Sequence, residues 1–215
     1  MKPFFDSARV WPSGRRVLHL YLVPDLDRDY ELATLIAGCR DVFTTFAAID
    51  RPIPDEWLHV TVQAIHPTSA EPVSPRTRQE LVSELAAAFA TVPAFTTQVG
   101  SVLGYSTGVV ADLHDDAPLE DLIDRARTAI AAVCGDEAIA YDTRPAHLTL
   151  AYAHGEQDTD PVARALRRVR PSHAPMTVAA VHLVDVEQDP AGCVYRWTPV
   201  HTFPLTGAVT GKWVA

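Results

Sequence analysis

Apolar and polar residues alternate along the chain in two rhythms, and their order predicts an α+β fold. Residues 17–23 alternate with period two, so Leu18, Leu20 and Leu22 take one face of a strand while His19 and Tyr21 take the other. Helical spacing follows in Leu32, Leu35, Ile36, Cys39 and Phe43, behind Asp25, Asp27 and Asp29, whose charge suits a helix N-terminus. Leu58-His59-Val60-Thr61-Val62 returns to period two. After a loop from His66, Ser74-Pro75 offers an N-cap and a first-turn proline to a helix with Leu81, Leu85, Ala88, Phe89 and Val92 inward, ended by Pro93. Residues 94–113 read as two strands joined near Gly104 to Gly108, and Leu119, Leu122, Ile123, Ala126, Ile130 and Val133 as the stripe of a helix that stops at Gly135.

The second half repeats this order. Residues 139–141 read as a short strand, and Arg144-Pro145 turns the chain into Ala146-His147-Leu148-Thr149-Leu150. Asp160-Pro161 starts a helix with Val162, Leu166 and Val169 inward; 177–186 is a strand; Asp189 to Gly192 is a turn; and 193–200 returns as its hairpin partner. Both halves run His-x-Thr strand, loop, proline-led helix, strand, glycine-containing turn, strand. We expect one bilobal unit over 1–215 with an internal repeat of roughly 50–113 and 139–205, two antiparallel-rich sheets flanking a central groove, and helices outside.

The two His-x-Thr segments lie 88 positions apart. In each, the His and Thr share a strand face while the flanking Leu and Val point to a core, so the polar pairs can meet across a groove. A His takes and gives protons near neutrality, and two flanking a phosphate can act as general base and general acid. The Thr hydroxyls can donate to the non-bridging oxygens as charge builds there. His66-Pro67-Thr68 is a third match, set aside because Pro67 interrupts any strand alternation.

Composition narrows the partners. A net charge of −9 argues against a broad nucleic-acid-coating face, leaving a small nucleotide or an RNA end held locally. Cys39, Cys134 and Cys193 are odd in number and scattered, and read as reduced. Nine histidines raise the question of a metal, but no HExxH motif or Cys/His cluster accompanies His59 or His147, so neither metal nor cofactor is expected. No apolar run approaches a membrane span and the first residues lack a signal-peptide core, so a cytoplasmic monomer is the default expectation.

The paired motifs resemble those of the two-histidine (2H) phosphoesterase superfamily, in particular its 2′-5′ RNA ligase-like branch. His59-Val60-Thr61-Val62 and His147-Leu148-Thr149-Leu150 match its pattern, and the element order matches from about residue 17 to 205. The resemblance implies metal-independent hydrolysis of 2′,3′-cyclic phosphates or 2′-5′ linkages on RNA ends or small nucleotides, and the reverse ligation. It assigns catalysis to His59 and His147 and phosphate binding to Thr61 and Thr149. Where members often carry an aromatic after the first motif, this chain has Gln63-Ala64, although Tyr152 follows the second.

Other residues have two readings each. His19, Tyr21, Gln63, Arg144 and Tyr152 are candidates to line the groove, with strand decoration or a solvated loop arginine as the plainer alternative. His182 reads as a core or edge histidine, and Arg164, Arg167, Arg168 and Arg170 as a solvated helix face. Residues 1–16, with Phe4, Phe5 and Trp11 and no period, read as a packed arm. A non-catalytic nucleotide or RNA-end binding module with the same groove is the alternative function.

Overall fold

The computed structural model describes residues 1–6, 10–65, 73–114 and 116–207; His66-Pro67-Thr68 and its loop lie outside them. In chain order the elements are β1 (Val17–Leu22), α1 (Tyr30–Phe43), β2 (Val60–Ile65), α2 (Pro75–Phe89), β3 (Phe95–Tyr105), β4 (Gly108–His114), α3 (Asp116–Cys134), β5 (His147–Tyr152), α4 (Thr159–Leu166), β6 (Ala174–Val178), β7 (Ala180–Asp189) and β8 (Val194–Pro204). The helices form where the sequence stripes place them. Leu32, Leu35, Ile36, Cys39 and Phe43 are the buried residues of α1, and the Ser74 hydroxyl caps α2 by accepting from the Thr77 N–H at 3.1 Å.

The expected α+β fold is present, and its two antiparallel sheets are the halves of one eight-stranded sheet, ordered β6-β3-β4-β5-β2-β1-β7-β8. The halves join where β2 meets β5, through the pair Val60 and Leu148. Each half is backed by two helices, α1 and α4 against β6 and β3, α2 and α3 against β8 and β2. The hairpin that follows each His-x-Thr strand does not stay beside it. β3–β4 pairs onto β5, and β7–β8 pairs onto β1, so each spatial half draws on both ends of the sequence.

Three local readings differ from the structure. Residues 177–186 are not one strand: the chain breaks at Ala179, with β6 pairing to β3 and β7 to β1. Two residues of chain span at most about 7 Å, so the first and seventh strands of the sheet end close together and the sheet curls strongly. Residues 139–141 are not a strand, because Gly135 at φ +82° ends α3 and leads directly into a 3₁₀ turn over Asp136–Ile139 that buries Ala138. The cap of α4 is Asp158, not Asp160: its carboxylate accepts from the Asp160 N–H at 3.1 Å, and Pro161 sits within the first turn, where its missing donor costs nothing.

Candidate active site

Val60 and Leu148 are fully buried on the helix-packed face. Continuing their antiparallel register sets His59 opposite Thr149 and Thr61 opposite His147 on the other face. The pair lies midway in both motifs, so a local two-fold through it exchanges the histidines and exchanges the threonines.

Both imidazoles are held alike. His59 Nδ1 donates to the Trp57 carbonyl at 2.9 Å and His147 Nδ1 to the Pro145 carbonyl at 3.0 Å, in each case the residue two before the His. A carbonyl only accepts, so Nδ1 carries a proton in both rings and the neutral form leaves the Nε2 lone pair free for a proton.

Their surroundings differ. His59 is only 7% exposed, stacked on Tyr21 with ring centres 4.0 Å apart and planes 19° apart, and met edge-on by Trp197 at 5.1 Å. Burial pushes its pKa down to about 4; the Trp57 carbonyl opposes this and the neighbouring His147 adds to it. At neutral pH His59 is therefore uncharged. His147 stands at the start of β5, exposed.

Two bulges shape the floor. The β1–β2 register slips after Thr61, leaving Val62 as an extra residue, and the β4–β5 register slips after Thr149, leaving Leu150. The two bulged residues are again 88 positions apart. Each bulge reverses the alternation beyond it. Tyr152 is thereby turned onto the face of Thr149, with which it shares a hydrogen bond. Gln63 is turned the other way: it pairs with Leu20 on the helix-packed face, accepts from Arg127 at 2.7 Å and donates to the Tyr141 carbonyl at 2.8 Å. Gln63 therefore does not line the groove. The carbonyl of the bulged Val62 is satisfied by the Thr143 hydroxyl at 2.7 Å, which ties the first motif to the turn that launches the second.

His19 and Tyr21 keep the groove face, opposite Ala64 and Thr61, and share a hydrogen bond of 2.8 Å. Burial, with Tyr152 and Tyr195 nearby, holds the Tyr21 phenol well above its ordinary range, so it is a neutral wall for His59. Arg144 is not brought to the site as a phosphate ligand. Its guanidinium is held by Asp142, Glu120 and Asp124 at 2.7 to 3.2 Å, and its hydrogen bonds to Asp142 keep that carboxyl down near 2. His182 is buried and bonded to Thr202, but its pairing with Tyr21 puts it on the groove face of β7 and not on the helix-packed core face.

Trp57 and Trp197 complete the wall around His59, Tyr195 packs into the adjoining apolar cluster, and all three were missed in the sequence. Tyr195 and Trp197 lie well over a hundred residues from His59, and the carbonyls of Trp57 and Pro145 act through backbone, which no side-chain pattern reveals. Tyr195 on β8 comes within 5.8 Å of Tyr152 on β5, ring centre to ring centre, although four strand spacings of a flat sheet are roughly 19 Å. The sheet is thus concave toward this face. Among the described residues no group of three His, Cys, Asp or Glu is placed to hold a metal ion, and no helix is long and apolar enough to cross a membrane.

Two histidines on the inner strands of a concave antiparallel sheet, each fixed through Nδ1 and paired with a threonine, define a class of acid/base site. A family model described as the 2′-5′ RNA ligase superfamily matches residues 14–190. The chain belongs to that superfamily. Its fold is similar to that of TT0787 of Thermus thermophilus, at 17% identity and a TM-score of 0.66, covering 89% of this chain and 98% of that one. It is likewise similar to E. coli LigT complexed with NADP⁺, at 18% identity and a TM-score of 0.63, covering 90% and 99%, and to E. coli LigT complexed with 3′-AMP, at 19% identity and a TM-score of 0.62, covering 89% and 98%. No curated protein matches the sequence. Membership supports a phosphoesterase type of enzyme.

Proposed function

We propose that this protein is a metal-independent phosphodiesterase acting on 2′,3′-cyclic phosphates or 2′-5′ linkages of RNA ends or small nucleotides. The observation that carries it is the matched pair of Nδ1-anchored imidazoles, each with a Thr across the strand pair. Complexes of the similar LigT with 3′-AMP and with phosphate support a nucleotide-sized ligand.

In the hydrolytic direction, His59 Nε2 takes a proton from water as its oxygen bonds to phosphorus. The bond from phosphorus to one ribose oxygen breaks, and His147, protonated at Nε2, gives that oxygen its proton. The product is a nucleoside monophosphate, and the two imidazoles have exchanged protonation states. Thr61 and Thr149 hydroxyls face the non-bridging oxygens, where negative charge grows. The neutral state of the enclosed His59 favours it as the base, and the exposure of His147 lets solvent reload it as the acid. The reverse direction would join a ribose hydroxyl to a cyclic phosphate.

The test is turnover of a nucleoside 2′,3′-cyclic phosphate in the presence of a chelator. Wild type turns over, and His59→Ala and His147→Ala each lose about 100-fold or more. Absence of wild-type turnover, or variants as active as wild type, refutes the reading.

A further inference from the structure

The two halves share a backbone plan around the site, but their groove faces are covered differently. On the first half, the face carrying His19 and Tyr21 is filled. Trp197, Val184 and Val186 pack with Tyr21 into a second apolar cluster, joined by Trp11, Trp57 and Tyr195. Phe4 and Phe5 close over Tyr152 and Tyr195, with ring centres 4.2 to 6.1 Å apart. Phe4, Phe5 and Trp11 all precede residue 14, where the match to the family model begins. They occupy this side.

On the second half Phe4 and Phe5 cover Tyr152 on β5, whereas the outer strand β3 is left uncovered on this face. Pairing carries the groove face outward from β5: Thr149 lies opposite Val110 on β4, which lies opposite Leu103 on β3, and Tyr152 opposite Gly108, which lies opposite Tyr105. Leu103 and Tyr105 therefore share the face of Thr149 and His147. They are 42% and 61% exposed, among the few large apolar side chains so placed in the described residues. β6 pairs only with Phe95 to Val99, leaving this end of β3 as an open rim. Two strand spacings put Leu103 roughly 10 Å from Thr149, about the reach from a bound phosphate across a ribose to its base.

We propose that Leu103 and Tyr105 form the platform on which the substrate's nucleobase stacks, so that the nucleoside lies over β3 and β4 with its ribose toward His147. This rests on the phosphodiesterase reading and deepens it. The cladding of the first half leaves no matching platform for a second base on that side. The ribose oxygen that leaves is then the one beside His147, in keeping with its role as acid. An aromatic face and an apolar side chain stack on any base, so the platform fixes orientation without choosing among bases.

The experiment compares calorimetric binding of adenosine 3′-monophosphate and of ribose 5-phosphate, which lacks a base, to wild type, Tyr105→Ala and Tyr105→Phe. Tyr105→Ala is expected to bind the nucleotide about tenfold more weakly and ribose 5-phosphate as wild type does, with Tyr105→Phe restoring the nucleotide. Nucleotide affinity unchanged in Tyr105→Ala, equal losses for both probes, or no nucleotide binding by wild type overturns the platform. Tyr105 is exposed at a sheet rim, and an unchanged melting temperature of Tyr105→Ala checks that the fold is intact. Because binding is the readout, absence of turnover would sink the phosphodiesterase reading while this comparison still decides the platform.

Discussion

The enclosure of His59 makes a quantitative claim about pH. Its pKa falls from 6.5 to about 4 on folding, through burial against Tyr21 and Trp197. Between these values the unfolded chain binds a proton that the folded protein excludes, so stability rises with pH and is lost as pH falls through 6.5 toward 4. At about 1.4 kcal/mol per unit the full effect is about 3 kcal/mol, of which about 2 kcal/mol is lost between pH 7 and 4.5. His59→Asn keeps a donor for the Trp57 carbonyl and removes the titration. Urea unfolding at the two pH values should show wild type losing about 2 kcal/mol more than His59→Asn. His182, also near 4, contributes a similar slope to both proteins and cancels in the comparison. The ring proton resonances of His59 should titrate near pH 4. Equal pH sensitivity of the two proteins, or a His59 inflection near 6.5, would refute the argument that these rings enclose it and keep it neutral.

Two substitutions probe the surroundings of the motifs. Thr143→Val keeps the shape but strips the donor from the bulged Val62 carbonyl, a buried bond of 2.7 Å; it should cost about 1 to 3 kcal/mol in urea unfolding and reduce kcat through the register of Thr61. Arg144→Ala should leave KM for a cyclic nucleotide within about twofold and change stability by at most about 1 kcal/mol, since the guanidinium is held in exposed ion pairs.

Much of this was legible in the chain. The α1 stripe, the Ser74-Pro75 start of α2, the β3–β4 hairpin and the polar faces of His59 and His147 follow from periodicity and capping, which are local. What alternation could not supply was where it fails. Counting by two from Thr61 puts Gln63 in the groove, and counting by two from Thr149 leaves Tyr152 out; one extra residue in each strand inverts both. The bulge leaves no mark in Val60 to Ile65, because the extra residue, Val62, is as apolar and buried as its neighbour Val60. The break at Ala179 was hidden for a related reason: β6 and β7 are both apolar strands, and only the curl of the whole sheet separates their partners.

Two equivalent motifs become unequal partners through what covers them. Register, bulge position and Nδ1 anchoring are shared, so nothing in either His-x-Thr segment distinguishes a base from an acid. The difference comes from outside the motifs. β8 delivers Trp197 to one imidazole, and the leading arm lays Trp11 and Phe5 over Tyr195 on that side. Burial acts on charge in one direction, lowering the pKa of the enclosed imidazole and leaving the exposed one in contact with water. On the proposed reading, a frame alike on both sides but clad on one suffices for the division of labour between base and acid, and the cladding, not the motif, decides which histidine takes which part.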